Sequence, residues 1–274
     1  MLRRALVLLW GAGLTKAASY QDKVRRWRER RETALRAPYG WLSVAGLFWL
    51  REGSNPLGSD PSNSVVLPRG AAPAHAGEFV LRDGKITVQT PSGTRTLRPD
   101  TGDFVAFGAV RLSLIHRGGR YGIRMRDPQS QYRREFSGLR WFPVNSAWRI
   151  VARFVWQPRK IPILNVLGQT EPQDCPGYAE FTLAGRKLRL YPVREPGAQE
   201  LFFIFRDLTS GKETYGAGRF LDAPLPVDQQ VILDFNQAYS PPCAFTPYAT
   251  CPLPPAENRL PVRMAAGEMQ YGSH

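Results

Sequence analysis

Nucleophilic, acid–base and metal chemistry each need particular side chains at particular spacings, and this chain of 274 residues supplies few of them. Its three histidines, His75, His116 and His274, lie far apart in sequence, so a three-histidine metal site would need the last residue of the chain. There is no His-Glu-x-x-His, no Gly-x-Ser-x-Gly, no phosphate loop and no dinucleotide fingerprint. The common hydrolase, nucleotide and nicotinamide mechanisms therefore have no sequence support, and no metal or cofactor is expected. Polar groups concentrate instead between Arg206 and Glu268.

From Arg206 to Arg219 an apolar strand runs into a turn and returns. Asp207 and Thr209 suit the turn itself, because short Asp and Thr side chains bond a neighbouring backbone. Thr214, Tyr215 and Arg219 then emerge on the returning strand, expected over Glu213 to Leu221, where Gly216 and Gly218 let a ligand or another backbone come close. The run Val231 to Asn236 alternates, so a strand there puts Leu233 and Phe235 on one face and Asp234 with Asn236 on the other. Thr214, Tyr215, Arg219, Asp234, Asn236 and Tyr239 thus form the candidate ligand-binding set. Arg219 would supply a cation and Asp234 would orient it, since either charge is costly to bury alone. The same groups admit acid–base work, with Asp234 or Glu268 as base and Tyr215 as acid. They equally admit an internal role, in which Asp234 and Arg219 form a satisfied buried network.

Cys243 and Cys251 stand eight apart in a proline-rich run, a spacing that is neither Cys-x-x-Cys nor a zinc pattern. In an exported chain a disulfide between them is chemically reasonable, and closing so short a loop would contribute about 2 to 3 kcal/mol. Cys175 is left over, and burial as a small apolar residue is its plain reading.

Several stretches resemble domain-of-unknown-function family 1684, an uncharacterised bacterial family, over most of the chain that follows the N-terminal segment. They are Gly40 to Leu50, Gly58-Ser59-Asp60, Thr209-Ser210-Gly211, Thr214 to Leu221, Asp234-Phe235-Asn236, Ala238-Tyr239, Pro241 to Phe245 and Cys251 to Pro255. Ser240 stands where the family pattern has Asn before the proline pair. The resemblance implies a shared domain and no established activity. A fainter likeness, over Leu57 to Pro68, is to the opening of forkhead-associated phosphopeptide-binding sandwiches, although Ser59 replaces their usual Arg. It implies a sandwich-like segment.

The elements that must position these residues are mostly strands. Composition is 43% hydrophobic and 22% charged, enough apolar material for a real core, with no collagen period, heptad or spanning run. Met1 to Arg4 is basic, Ala5 to Leu14 apolar, and Thr15 to Ser19 small, the three-part layout of a secretory signal. Residues 1–18 are therefore expected to be a signal peptide and the protein to be exported, to a periplasm or outside the cell. No membrane span is expected once they are removed. Residues 19–50 hold a surface helix over Tyr20 to Leu35, then an apolar segment expected to plug the end of a core. Residues 51–274 read as a mainly β domain, with room for two β subdomains meeting near 128–147. The expected fold is an antiparallel sandwich or partly open barrel with an N-terminal surface helix and a Pro-rich C-terminal tail.

The formal charge of +14 first suggests a polyanion partner, yet six of the 37 basic residues are Lys and the rest are scattered Arg. The one dense patch, Lys23 to Arg36, comes with no zinc-finger, RNA-recognition or basic-zipper signature and reads as a solvated helix face. Nucleic acid is thus not the expected partner. Three readings follow: a pocket for a small or anionic ligand, a hydrolase-like enzyme using a carboxylate and Tyr in that pocket, or a structural module without a small-molecule site. Oligomeric state is left open.

Overall fold

The computed structural model describes residues 19–272, so the expected signal peptide and His274 fall outside the described residues. Helix α1 (Tyr20–Arg36) begins at a capping box: the Ser19 hydroxyl accepts from the Asp22 amide at 3.1 Å while the Asp22 carboxylate accepts from the Ser19 amide. It stops before Pro38, as the restriction that Pro places on its predecessor requires. No helix among the described residues is long and apolar enough to cross a membrane.

The strands are β1 (Val44–Trp49), β2 (Gly53–Gly58), β3 (Val65–Val66), β4 (Gly77–Arg82), β5 (Lys85–Thr90), β6 (Gly93–Leu97), β7 (Phe104–Phe107), β8 (Val110–Arg117), β9 (Arg120–Arg126), β10 (Arg149–Leu164), β11 (Thr170–Leu183), β12 (Arg186–Leu190), β13 (Glu200–Phe205), β14 (Arg219–Pro224) and β15 (Gln230–Asp234). A single helical turn, α2 (Gln131–Arg134), precedes β10. The fold is mainly β and its sheets are antiparallel apart from the short β2–β3 pair. They lie sandwich-like over shared cores, and none closes into a barrel. The segment expected as a core plug is a short 3-10 turn followed by β1, which pairs with β9.

Two sheets, ordered β1-β9-β8-β7 and β3-β2-β4-β5-β6, bury a first core that includes Leu57, Phe79, Leu112 and Ile123. The alternation of β4 and β5 supplies its inward residues, and Asp83-Gly84 turns between them with both residues at positive φ. A second core lies between the sheet β12-β11-β10-β15 and the pair β13-β14, closed by Leu260, Val262, Met264 and Ala266 of the tail. The proline-rich C-terminal segment is thus part of that core. β10 and β11 form the longest hairpin, with a bulge between Trp156 and Arg159 that takes up Pro158.

Lys23, Arg25, Arg26, Arg30 and Arg36 of α1 are exposed, as expected of a solvated face, whereas Arg28 and Arg31 turn inward. Arg28 donates to the Phe142 carbonyl at 3.0 Å and stacks over Trp141 at 4.7 Å. Arg31 donates to the Ser240 carbonyl at 2.9 Å and stacks over Tyr239 at 4.6 Å. Elsewhere Arg111 covers Tyr39, Arg120 covers Trp49, and Arg124 and Arg126 flank Trp41. A planar guanidinium stacks on aromatic faces as a compact ammonium does not, which gives part of the Arg excess a structural use.

Candidate functional site

The six sequence-selected residues are placed in two groups, and each has an internal partner. Arg219 opens β14 and is wholly buried: Nη2 donates to Asp207 Oδ2 at 2.6 Å and to the Met264 carbonyl at 3.1 Å, and Nη1 donates to the Ala266 carbonyl. Its partner is therefore Asp207, where Asp234 was expected. Burial lowers the guanidinium from its ordinary value, and Asp207 opposes that shift. Thr214 and Tyr215 precede the strand, which starts only at Arg219. The Thr214 hydroxyl meets that of Thr209 at 2.8 Å, and the Tyr215 hydroxyl donates to the Cys243 carbonyl at 3.0 Å.

Asp234, Asn236 and Tyr239 form the second group, under α1. β15 ends at Asp234 and a 3-10 turn over Phe235–Gln237 follows, so the alternation that joins Asp234 to Asn236 breaks there. The two still meet, through the Tyr20 hydroxyl, which donates to Asp234 Oδ1 at 2.8 Å and accepts from Asn236 Nδ2 at 2.8 Å. Asn236 also donates to the Asn145 carbonyl at 2.9 Å. Beside them Glu268 is fully buried, its carboxyl raised by burial, with Arg31 Nε 3.6 Å away and opposing the shift. Gly267, at φ +79°, lets the chain reach this position, since a Cβ there would lie 2.4 Å from the Ala238 carbonyl oxygen. Among the described residues, neither Glu268 oxygen nor the Ser240 hydroxyl has a hydrogen-bond partner.

The disulfide expected between Cys243 and Cys251 is not formed; both are free thiols, as is Cys175. The Cys243 amide donates to the Cys251 sulfur at 3.2 Å. The hydrogen bond between the thiols lowers Cys243 and raises Cys251.

A cavity of about 640 Å³ lies elsewhere, between the β8–β9 turn, the β10–β11 hairpin and the outer face of β13–β14. Period-two alternation turns Glu200, Phe202 and Ile204 of β13 to the cavity while Leu201, Phe203 and Phe205 face the core. Asp222 of β14, paired in register with Phe202, joins them. Phe202 packs edge-on against Phe220 at 4.8 Å, and Phe220 packs on Tyr239. Tyr239 connects the predicted set to the cavity, because its hydroxyl donates to Asp222 Oδ2 at 2.8 Å. Asp222 remains open to solvent as a residue, but the surrounding walls raise its carboxyl, with Glu200 adding to the shift and the Tyr239 hydrogen bond and Arg31 opposing it. Asp222 and Glu200 were legible only as alternate positions on two strands whose pairing the sequence does not reveal.

Five carboxylates line this cavity, Asp100, Glu171, Glu195, Glu200 and Asp222, against Arg117 and Arg194. Arg117 is held by Asp100 at 2.8 Å and Arg194 by the Ala198 carbonyl. Glu171 accepts from the Gly118 amide at 3.0 Å. Glu195, Glu200 and Asp222 have no ion-pair partner among the described residues. No group of three or more His, Cys, Asp or Glu among the described residues is arranged to hold a metal ion.

A mainly antiparallel β protein with an acidic cleft is the class that fold and geometry define. Residues 134–269, which carry β10 to β15 and most of the tail, match the family model described as protein of unknown function (DUF1684), and the chain belongs to that family. It is similar to an uncharacterized protein of Haloarcula marismortui known from a solution NMR structure, at 32% identity. That match covers 50% of this chain and 78% of the other, with a TM-score of 0.42. A comparison with curated proteins found no match.

Proposed function

We propose that the protein binds a small organic cation in the cleft over β13 and β14. The observation that carries this reading is the placement of Glu200 and Asp222, without basic partners, beside the apolar surface of Phe202 and Ile204. An alkylammonium group would sit among the carboxylates while its hydrocarbon body covers Phe202, Ile204, Ile163 and Val193. A cavity of about 640 Å³ is of the size that small ligands occupy. An anion would meet three uncompensated carboxylates here, and the Arg219 cation is consumed inside the fold. Export of the chain belongs to the same proposal and rests on the basic, apolar and small-residue layout of residues 1–18. Protein recovered from producing cells should then begin near Ala18 or Ser19; an intact Met1 would overturn export.

A second reading is favoured by one contact. Asp222, with its raised carboxyl, accepts from the Tyr239 hydroxyl at 2.8 Å at the cleft wall, a carboxylate and phenol suited to acid–base work on a bound substrate.

Calorimetric titration with hexylammonium and hexanoate tests the binding reading. Hexylammonium should bind saturably and hexanoate should not, and Glu200→Gln and Asp222→Asn should each weaken binding roughly tenfold, about 1.4 kcal/mol. Equal affinity in the wild type and both variants would remove the cleft as the site.

A further inference from the structure

Arg206, just beyond β13, and Arg259, in the tail, are partners in a short parallel bridge. The Arg206 amide donates to the Asn258 carbonyl at 3.1 Å, and the Leu260 amide donates to the Arg206 carbonyl at 2.8 Å. Directly opposed residues of a ladder send their side chains to the same face, and both arginines line the same trough. Like charges so placed repel, and neither group has a hydrogen-bond or ion-pair partner among the described residues. The neighbouring carboxylates are already taken: Asp207 by Arg219 at 2.6 Å, Glu257 by Arg159 at 3.3 Å and Glu213 by Arg263 at 2.5 Å.

The two arginines border a trough of about 500 Å³ whose walls are apolar, from Pro162 and Leu164 on one side to Leu253 and Pro254 on the other. Thr170 is the neutral polar group in it, and no carboxylate lines it. Beyond the arginines a second hollow of about 410 Å³ carries Lys212 and Ser210, and its one carboxylate is the buried Asp207. The Gly216-Ala217-Gly218 run helps to shape the trough: Ala217 lines it, and a Cβ on Gly218, at φ +106°, would lie 2.6 Å from Pro254. A proline wall can approach there because residue 218 has no side chain.

We infer that this trough is a second binding site, for an organic oxyanion with an apolar body, an aliphatic carboxylate being the minimal case. The paired guanidinium groups take the anionic head, through the parallel N–H donors that suit carboxylate oxygens. The Pro162, Leu164, Leu253 and Pro254 walls cover the hydrocarbon. The site is separate from the acidic cleft, shares no lining residue with it, and selects the opposite charge.

Titration of the protein with sodium octanoate, octylammonium chloride and inorganic phosphate decides the matter. Octanoate should bind saturably, lose at least tenfold in affinity in Arg259→Gln and in Arg206→Gln, and weaken with added salt. Octylammonium should not displace it, and phosphate should compete only weakly, since it lacks the chain. Arg259 is exposed, so Arg259→Gln should keep the wild-type melting temperature and serve as the variant free of folding effects. Glu200→Gln and Asp222→Asn should leave octanoate affinity unchanged, which separates this site from the cation cleft. Octanoate binding that is absent, that is equal in Arg259→Gln, or that is matched by octylammonium would overturn the assignment; phosphate binding as tightly as octanoate would overturn its apolar half.

Discussion

The Asp207 carboxylate lies 2.6 Å from the Arg219 guanidinium, and solvent reaches neither side chain. Asp207 also accepts from the Thr209 amide at 2.7 Å and the Met264 amide at 3.3 Å, while Arg219 holds the Met264 and Ala266 carbonyls. The pair therefore ties the start of β14 to the tail that closes the second core. Removing one partner strands a buried charge, so Arg219→Met and Asp207→Asn should each cost about 3 to 5 kcal/mol in urea unfolding. The double variant should cost less than the sum of the two. A loss below about 1 kcal/mol in Arg219→Met would show that the pair does not hold the tail.

Tyr20 plays the corresponding part for α1. Its hydroxyl is donor to Asp234 and acceptor from Asn236, and burial raises its ionisation well above the ordinary phenol value, with Asp234 adding to the shift. Tyr20→Phe keeps the ring and deletes the hydroxyl, leaving Asp234 and Asn236 each one partner short. We expect a loss of about 1 to 3 kcal/mol and faster amide exchange along the first turns of α1. Unchanged exchange would mean that Arg28 and Arg31 suffice to dock the helix.

Much of this architecture was legible because period and turn chemistry are local. An Asp-Gly pair between two short apolar runs favours a hairpin, and Asp83-Gly84 turns between β4 and β5. The β10–β11 hairpin was only half legible, since Pro158, Pro162, Pro172 and Pro176 argue against long strands and a bulge is what accommodates the first of them. Partnership was the illegible part. Sequence placed Arg219 with Asp234, but the choice between Asp234 and Asp207 depends on which turn the tail crosses. It marked Tyr239 and missed Asp222, its hydrogen-bond acceptor, because β14 presents Asp222 to a cavity formed by elements distant in the chain.

Glu268 predicts a pH dependence of definite sign. Burial raises its carboxyl in the folded state, and Arg31 only partly counters the effect. A group raised on folding contributes stability that is fully present below its unfolded value, about 4.3 for Glu, and that is lost as pH rises through the folded value. Glu268→Gln keeps the shape without the titration. The stability of the wild type minus that of Glu268→Gln should therefore fall as pH rises above the unfolded value, in urea melts at fixed ionic strength. A difference that is flat or rises with pH would show that Arg31 and Ser240 hold Glu268 ionised.

The three thiols should differ in reactivity. Cys243 is half-buried and its thiol is lowered by the hydrogen bond from Cys251, while burial raises Cys175 and the bond to Cys243 raises Cys251. Because the thiolate is the nucleophile, iodoacetamide at about pH 7.5 should label Cys243 roughly tenfold faster than either of the others. Peptide mass spectrometry of non-reduced protein gives the measurement. Equal labelling of Cys175 would remove the hydrogen-bond argument, and protection of both Cys243 and Cys251 until a reductant is added would mean that a bridge forms in the isolated protein. That second outcome bears on the cleft as well, since Thr250 and Pro252 flank Cys251 and line its wall. Alkylation at Cys243 should leave hexylammonium affinity unchanged, because neither Cys243 nor Tyr215, which donates to its carbonyl, lines the cavity.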